Sequence, residues 1–268
     1  MRAIWNGFIS FGLVTIPVAV GIAQQRKDIS FRNLSRASMR PVKQRRFDPE
    51  GDVEVTADDL VKGWEVSKGR YIPIDPAELE QFAVKNDKTI EILQFVDLTE
   101  VDPVYFDRAY WLEPQERVER PYALLTRALE ESGRAALGRF VLSTKEHLVL
   151  VRPVDGALAL QTLYYPEDVR LDEQEGISER LEGVEVSGDE LSMATQLIES
   201  QTKPFAPEGY PNETRASMLE FLDAKAAGET PTAPEPTADP APVVDLMAAL
   251  KASLAQTGDA DNEQRVAS

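Results

Sequence analysis

Apolar and polar residues alternate along much of the first 164 residues. From Val14 to Ile22 an apolar side chain occupies every second position, which is the spacing of a strand with one buried face. This alternation favours strands over a leader peptide, although the composition of Phe8–Ala23 resembles one. The ten predicted strands are Ala3–Phe11, Leu13–Ala23, Val42–Phe47, Leu60–Val66, Tyr71–Ile74, Thr89–Val96, Tyr105–Leu112, Gly138–Ser143, His147–Arg152 and Ala157–Tyr164. Many short strands with few helices between them favour an antiparallel sheet or barrel.

Two helices and two hairpins are predicted within this strand-rich region. The helices cover about residues 76–83, where Asp75 supplies an N-cap, and Pro121–Ser132, which ends at a glycine. The hairpins turn at Asp155-Gly156 and, with a weaker signal, over the four residues Ser143–Glu146.

The sequence changes character after residue 165. Asp168–Glu185 is an acidic connector, and Ser187 with Glu190 then forms a capping box that opens a helix. A second apolar stripe covers Asn212–Ala227, so the two helices form a helical appendage. Residues 228–242 are a linker rich in proline and alanine, which we expect to stay unpacked.

Charge is distributed very unevenly along the 268 residues. The chain has 29 basic and 46 acidic residues, a net charge of −17 that by itself argues against nucleic acid. However, the first 46 residues hold nine cations and one anion, a net of +8, which leaves −25 for the rest. The densest segment, Lys27–Arg46, is either a solvated basic loop or a phosphate-binding surface, and its predominance of arginine suits forked contacts to phosphate. Since no zinc finger or recognition helix is visible, we expect contacts to backbone and shape rather than to bases.

Few catalytic arrangements fit this composition. The chain has no cysteine and a single histidine, His147, which excludes disulfides, thiolate nucleophiles and multi-imidazole metal sites. No phosphate-binding loop, dinucleotide fingerprint, zinc protease motif or nucleophile elbow occurs. We therefore assign no catalytic residue, metal or cofactor and expect a protein that is not an enzyme. A Mg²⁺-dependent nuclease, a lyase acting through a lysine Schiff base and an adaptor for an acidic protein remain the alternatives.

Several long blocks of sequence carry a family resemblance. The blocks are MRAIWNGFISFGLVTIPV, KDISFRNLSR, LVKGWEVSKGRYIPI, KTIEILQFVDLTEVDPVYFDRAYWLEP, YALLTRALEESG, GRFVLSTKEHLVLVRP, LYYPEDVR and ELSMATQLIESQTKPFAPEGYPNE. Over about residues 1–227 the chain resembles bacterial Ku, the DNA-end-binding family of non-homologous end joining. The resemblance implies a mainly β fold with α additions: an antiparallel Ku-core β-barrel with an inserted arch and a helical C-terminal arm, in a ring-shaped homodimer. It also implies binding to double-stranded DNA ends, recruitment of the ATP-dependent end-joining ligase, no membrane association, and a place in the cytoplasm with the nucleoid.

The resemblance and the composition together divide the chain into four expected parts. Residues 1–186 are the barrel with its DNA-encircling arch and 187–227 the arm, followed by the linker 228–242 and by 243–268, a short amphipathic segment with a polar tail. The amphipathic residues Val243–Leu250 resemble a segment that some members carry after the core. We expect either this segment or the arm to dock the ligase.

The DNA-binding candidates follow from the basic segment and from the later hairpins. They are Arg26, Lys27, Arg32, Arg36, Arg40, Lys43, Arg45, Arg46, Arg139, Lys145 and Arg152. Two departures from the family limit what is carried over. Ser38, Asp48 and Gly51 stand at positions where many members have cysteines, so no metal site is inferred. Residues 228–268 hold two cations and seven acids, so the basic tail of other members is missing and this tail should not add affinity for DNA.

Overall fold

A computed structural model describes residues 1–82 and 88–229. The strands in these residues are β1 Ala3–Phe11, β2 Val14–Ile22, β3 Arg46–Asp48, β4 Val53–Val55, β5 Lys62–Ser67, β6 Arg70–Ile74, β7 Thr89–Asp97, β8 Phe106–Pro114, β9 Arg134–Leu142, β10 Lys145–Val154 and β11 Ala157–Leu163. The α-helices are α1 Pro76–Glu80, α2 Glu119–Ser132, α3 Leu171–Leu181, α4 Gly188–Gln201 and α5 Glu213–Ala226.

Seven of the strands close into a barrel, in the order β1-β2-β8-β11-β10-β9-β7. Six neighbouring pairs are antiparallel, but β1 and β7 are parallel, with Phe8 opposite Thr89 and Ile9 opposite Ile90. The prediction of a purely antiparallel barrel was therefore wrong. The reason is topological, because strands that alternate in direction around a closed ring of odd number must leave one parallel pair.

The barrel core follows the alternation seen in the sequence. Ile16, Val18 and Val20 of β2 are buried, as is Ile9 on the neighbouring strand. These side chains belong to one cluster that also contains residues of β8, β10 and β11. At about 1.5–3 kcal/mol for each fully buried side chain of this size, the cluster supplies the main stabilisation of the fold. The predicted strand character of Val14–Ile22 is confirmed.

Tight turns join the hairpins of the barrel. Asp155 and Gly156 both adopt positive φ angles, 47° and 78°, in the predicted two-residue turn between β10 and β11. The turn between β9 and β10 is also short, with Ser143 and Thr144 at φ 50° and 75°, because Lys145 already pairs with Leu142. The four-residue loop predicted there was too long. Both turns have the backbone twist that suits a tight β-hairpin.

Two glycines let β7 pack closely between its neighbours. Beside the parallel pair, the Phe8 N–H donates to the Lys88 carbonyl over 2.9 Å. A Cβ atom on Gly7 would collide with that carbonyl and with the Trp5 ring, and one on Gly138 would collide with the Glu91 carbonyl. Closure of the barrel therefore depends on glycine on both sides of β7.

Helix α2 is fastened to the barrel by a buried tyrosine. The Tyr122 hydroxyl donates to the Leu112 carbonyl over 2.7 Å and accepts from the Leu158 N–H over 2.8 Å. The hydroxyl thereby bridges β8 and β11, and the tyrosine itself lies in the first turn of α2. Burial raises the pKa of the Tyr122 hydroxyl, so this donor stays protonated at neutral pH. The helix ends at Gly133 in the left-handed conformation, as predicted.

We expect Tyr122→Phe to lower the free energy of unfolding by about 1–3 kcal/mol, because it leaves a buried N–H and a buried carbonyl without their partner. The change removes one oxygen and leaves the ring in place. Urea unfolding followed by tryptophan fluorescence measures the effect. Thr99→Val, which removes an exposed hydroxyl bonded to Asp97, is the control and should change stability much less. Equal effects of the two substitutions would contradict the fastening role.

A second compact unit begins at Asp172, after the first unit Met1–Leu171. Its helices α4 and α5 confirm the two predicted helices, and the Ser187–Glu190 capping box is present, with the Ser187 hydroxyl accepting from the Glu190 N–H. Helix α3 lies where the sequence indicated only an acidic connector. None of the helices α3 to α5 has a buried residue. Among the described residues, no helix has the length and apolar content needed to cross a membrane.

Candidate nucleic-acid interface

Residues 23–88 leave the barrel between β2 and β7, and we call this segment the excursion. In the barrel, β2 and β7 lie on opposite sides of β1. Gly21 near the end of β2 is opposite Ala3, and Thr89 at the start of β7 is opposite Phe8. The excursion is therefore anchored at both ends to the same barrel strand. That the excursion forms the arch implied by the family resemblance stays a prediction.

The described part of the excursion has no buried residue. It contains two separate two-stranded sheets, β3–β4 and β5–β6, and the five-residue helix α1. Trp64 and Tyr71 on the second sheet are 63% and 61% exposed. An isolated two-stranded hairpin is marginally stable in water, and large exposed aromatic residues indicate a surface that meets another molecule. The predicted strand Val42–Phe47 is only partly formed, since its pairing starts at Arg46.

Eight of the eleven predicted DNA-binding residues lie on this excursion, and all eight are exposed. They are Arg26, Lys27, Arg32, Arg36, Arg40, Lys43, Arg45 and Arg46. Asp28 is the one acid among residues 1–46. The basic residues are thus gathered on a solvated segment that is free of the barrel core, and a dense set of exposed cations attracts polyanions.

Arg45 is held by an acid that the sequence did not single out. Its guanidinium donates to the Glu54 carboxylate over 2.7 Å, and both side chains are largely exposed. The contact arises because β3 and β4 pair with Phe47 opposite Glu54. The signal that could have found it is the alternating Val53-Glu54-Val55 after a turn rich in Asp and Gly. The carboxylate competes with phosphate for the guanidinium, although an exposed pair of this kind contributes little to stability.

We expect Glu54→Gln to strengthen binding to duplex DNA about threefold and to steepen the dependence of log K on log salt by about 0.9 for each chain that contacts the duplex, since one cation per chain is released for phosphate. A salt titration with a fluorescent duplex measures both quantities. The matched control is Glu100→Gln, an exposed acid outside the excursion. Weaker binding by Glu54→Gln would mean that the carboxylate orients Arg45 for phosphate instead of competing with it.

The three remaining candidates lie on the barrel but not on one face. Arg139 on β9 is opposite Leu148, so its side chain shares a face of the sheet with that of Arg152 on β10. Lys145 is an odd number of residues from Arg152 on the same strand and points to the other face. Moreover, the Arg139 Nε lies 3.9 Å from a Glu146 carboxylate oxygen. The structure therefore groups Arg139 with Arg152 and separates Lys145 from them.

The single histidine, His147, and the turn residue Asp48 both contact neighbouring groups of the fold. The His147 ring lies 6.0 Å from that of Phe140, and its partial burial lowers the pKa of the imidazole. Asp48 accepts from the Glu50 N–H in the turn that leads to β4. In the described parts of the chain, no group of three or more His, Cys, Asp or Glu residues is placed to hold a metal ion.

A closed β-barrel whose excursion begins with an exposed basic segment, residues 26–46, defines a barrel protein with a surface for polyanions. Residues 10–193 match the family described as the Ku70/Ku80 beta-barrel domain. The chain belongs to this Ku family.

Three curated relatives carry the name non-homologous end joining protein Ku. The proteins of Symbiobacterium thermophilum and Heliobacterium modesticaldum are each 42% identical over 256 residues, and that of Desulfitobacterium hafniense is 35% identical over 271 residues. The alignments cover 95%, 96% and 100% of this chain. The chain spans 63% of the length of the first relative and 92% of each of the other two.

Proposed function

We propose that the chain binds the ends of double-stranded DNA without sequence preference, as a ring-shaped homodimer that acts in double-strand break repair by non-homologous end joining. The observation that carries the proposal is the concentration of eight exposed cations, with the single acid Asp28, in residues 26–46 of a chain whose net charge is −17. Such a partition stabilises DNA at one surface and repels it from the others. The names of the relatives give the same biological setting.

The absence of a base-reading element in the described excursion supports sequence-independent binding. Its one α-helix, α1, has five residues and carries no basic side chain. The eight cations lie mainly on the irregular segment before β3, from which arginine and lysine reach phosphates and groove edges without the aligned set of contacts that reads a base sequence. A protein that moves along DNA needs contacts of this type, because the phosphate pattern is the same at every step.

The exposed apolar side chains of the second unit support the homodimer. Phe205 and Tyr210, between α4 and α5, are 83% and 77% exposed and stack on each other with centroids 6.2 Å apart. Leu191 and Ile198 on α4 are more than half exposed as well. Helices that bury nothing of their own obtain most of their stability by packing against a partner. A second copy of the chain would supply that surface and would double the cationic charge offered to DNA.

We further propose that the complex recruits the bacterial ATP-dependent end-joining ligase while bound to DNA of the nucleoid in the cytoplasm. On the arm, residues 187–227, the exposed Met218 and Leu219 of α5 remain available for this contact. The other candidate, Val243–Leu250 at the end of the linker 228–242, lies outside the described residues. Deletion of residues 228–268 distinguishes the two candidates. If the deletion abolishes stimulation of the ligase, the docking site lies in the tail. If stimulation is unchanged, the arm is the docking site.

Comparison of linear with closed circular DNA tests the end-binding function. We expect the protein to retard a linear duplex at moderate salt and to leave a covalently closed circle of the same sequence unbound. Competition with an excess of either form gives the ratio of the affinities. Equal binding to the two forms would overturn the proposal that ends are recognised.

A further inference from the structure

A ten-residue loop in the excursion, Asn33–Val42, has a defined backbone. The Val42 N–H donates to the Asn33 carbonyl over 3.1 Å, and the Ser35 N–H donates to the Arg40 carbonyl over 2.9 Å. Inside this ladder the Met39 N–H donates to the Ser35 carbonyl over 2.7 Å, and Leu34 and Pro41 form an antiparallel bridge. The loop therefore presents its tip, residues 36–40, in a fixed conformation. This basic segment is more ordered than a solvated chain would be.

The tip carries an apolar side chain in an unfavourable place. Met39 has φ 52°, in the left-handed region that residues other than glycine seldom adopt, and its side chain is 71% exposed. Both its conformation and its exposure cost free energy, and with 71% of the side chain exposed, packing within residues 1–82 and 88–229 offsets little of that cost. Ala37 and Ser38 are small, so the methionine projects from a narrow tip. A strained, exposed apolar residue at the end of a rigid loop indicates a contact with another molecule.

Two arginines flank the methionine. Arg36 and Arg40 are exposed, and no ion pair engages either of them within the described residues. No acidic residue occurs between Asp28 and Asp48. A binding partner of this tip must therefore combine negative charge with an apolar surface into which the methionine side chain can insert. A DNA groove has both properties, since phosphates line its edges and stacked bases form its floor.

The two grooves make different demands. Arginine in the major groove reads guanine edges, which would give a preference for sequence. In the minor groove the pattern of hydrogen-bond donors and acceptors varies little with sequence. The negative potential of this groove attracts arginine, and methionine is among the side chains that insert between its base steps. On the basis of the sequence-independent end binding proposed above, we propose that the Asn33–Val42 loop inserts Arg36, Met39 and Arg40 into the minor groove of the bound duplex.

Groove-specific competitors test the inference. Netropsin fills the minor groove of AT-rich DNA, and methyl green occupies the major groove. We expect netropsin to weaken binding of the wild-type chain to an AT-rich duplex end about tenfold and methyl green to have little effect. The variant Arg36→Ala/Met39→Ala/Arg40→Ala should bind the free duplex about tenfold more weakly than wild type and should no longer respond to netropsin.

A control variant matches the loop variant in charge and apolar loss. Leu13→Ala/Arg120→Ala/Arg127→Ala removes one exposed apolar side chain and two exposed cations from the barrel and α2, and should respond to netropsin as wild type does. A second readout is 2-aminopurine placed near the duplex end. Its fluorescence should rise when wild type or Met39→Leu unstacks the bases, and should stay low with Met39→Ala.

The possible results distinguish a failure of the role proposed for the loop from a failure of the proposed DNA-end binding. End binding that ignores netropsin, or that methyl green displaces instead, would overturn the role of the loop and leave end binding intact. Binding of the loop to an acidic protein in preference to duplex DNA would overturn it as well. A wild-type chain that binds no DNA end would overturn the proposed function together with this inference.

Discussion

The double charge reversal Arg45→Glu/Arg46→Glu is expected to abolish binding to DNA ends, with a loss of about a thousandfold or more at physiological salt. The two substitutions change the charge of the excursion by four per chain, and therefore by eight in the proposed homodimer. In addition, the carboxylate introduced at position 45 would face Glu54, its present partner, and would turn an attraction into a repulsion. Fluorescence anisotropy with an end-labelled duplex measures the affinity.

Two control variants separate the site from general electrostatics. Arg120→Glu/Arg127→Glu makes the same change of charge on α2, outside the excursion, and should weaken binding far less. Removal of the acidic residues 228–268 should leave binding unchanged or slightly stronger, because that segment has a net charge of −5. If the reversal at Arg45 and Arg46 had no more effect than the reversal on α2, the assignment of the excursion as the DNA surface would be wrong.

The substitution Gly7→Ala is expected to lower the free energy of unfolding by about 3 kcal/mol or more. The added methyl group would meet the Lys88 carbonyl and the Trp5 ring, and neither can move freely. The carbonyl belongs to the chain just before β7 and accepts from the Phe8 N–H, while the Trp5 ring packs edge to face on Phe140 in the core. The methyl group would therefore disturb the parallel pair that closes the barrel.

Urea unfolding of Gly7→Ala and of Gly176→Ala provides the comparison. Gly176 lies in α3, where a Cβ would meet nothing within 4 Å, so alanine should be neutral or stabilising there. We also expect Gly7→Ala to impair DNA binding in proportion to the unfolded fraction, since the excursion is anchored to both sides of β1. A Gly7→Ala protein as stable as the wild type would contradict the close packing of β1 against β7.

The elements that the sequence predicted well are those encoded by neighbouring residues. The alternation from Val14 to Ile22, the Asp155-Gly156 turn and the Ser187 capping box each depend on side chains a few positions apart. Local backbone preferences and one-sided burial decide such features. The same holds for the basic segment, because the density of its charge is visible without any knowledge of the fold.

The features that escaped prediction depend on contacts between distant residues. The parallel pairing of β1 with β7 follows from barrel closure by an odd number of strands and leaves no trace in either strand. The ion pair between Arg45 and Glu54 requires the register of a hairpin that was only half predicted. Helix α3 has a glycine in its middle and an acidic first turn, so its apolar residues did not stand out from a connector.

Blocking the DNA ends after the protein has bound tests the ring most directly. A linear duplex with biotin at both ends is mixed with the protein, closed with streptavidin and then challenged with high salt. We expect the protein to remain on DNA that was blocked after loading and to be absent from DNA that was blocked beforehand, because a closed ring can enter and leave only over an end. Rapid release from the blocked duplex, or equal binding to DNA blocked beforehand, would contradict a ring that encircles the double helix.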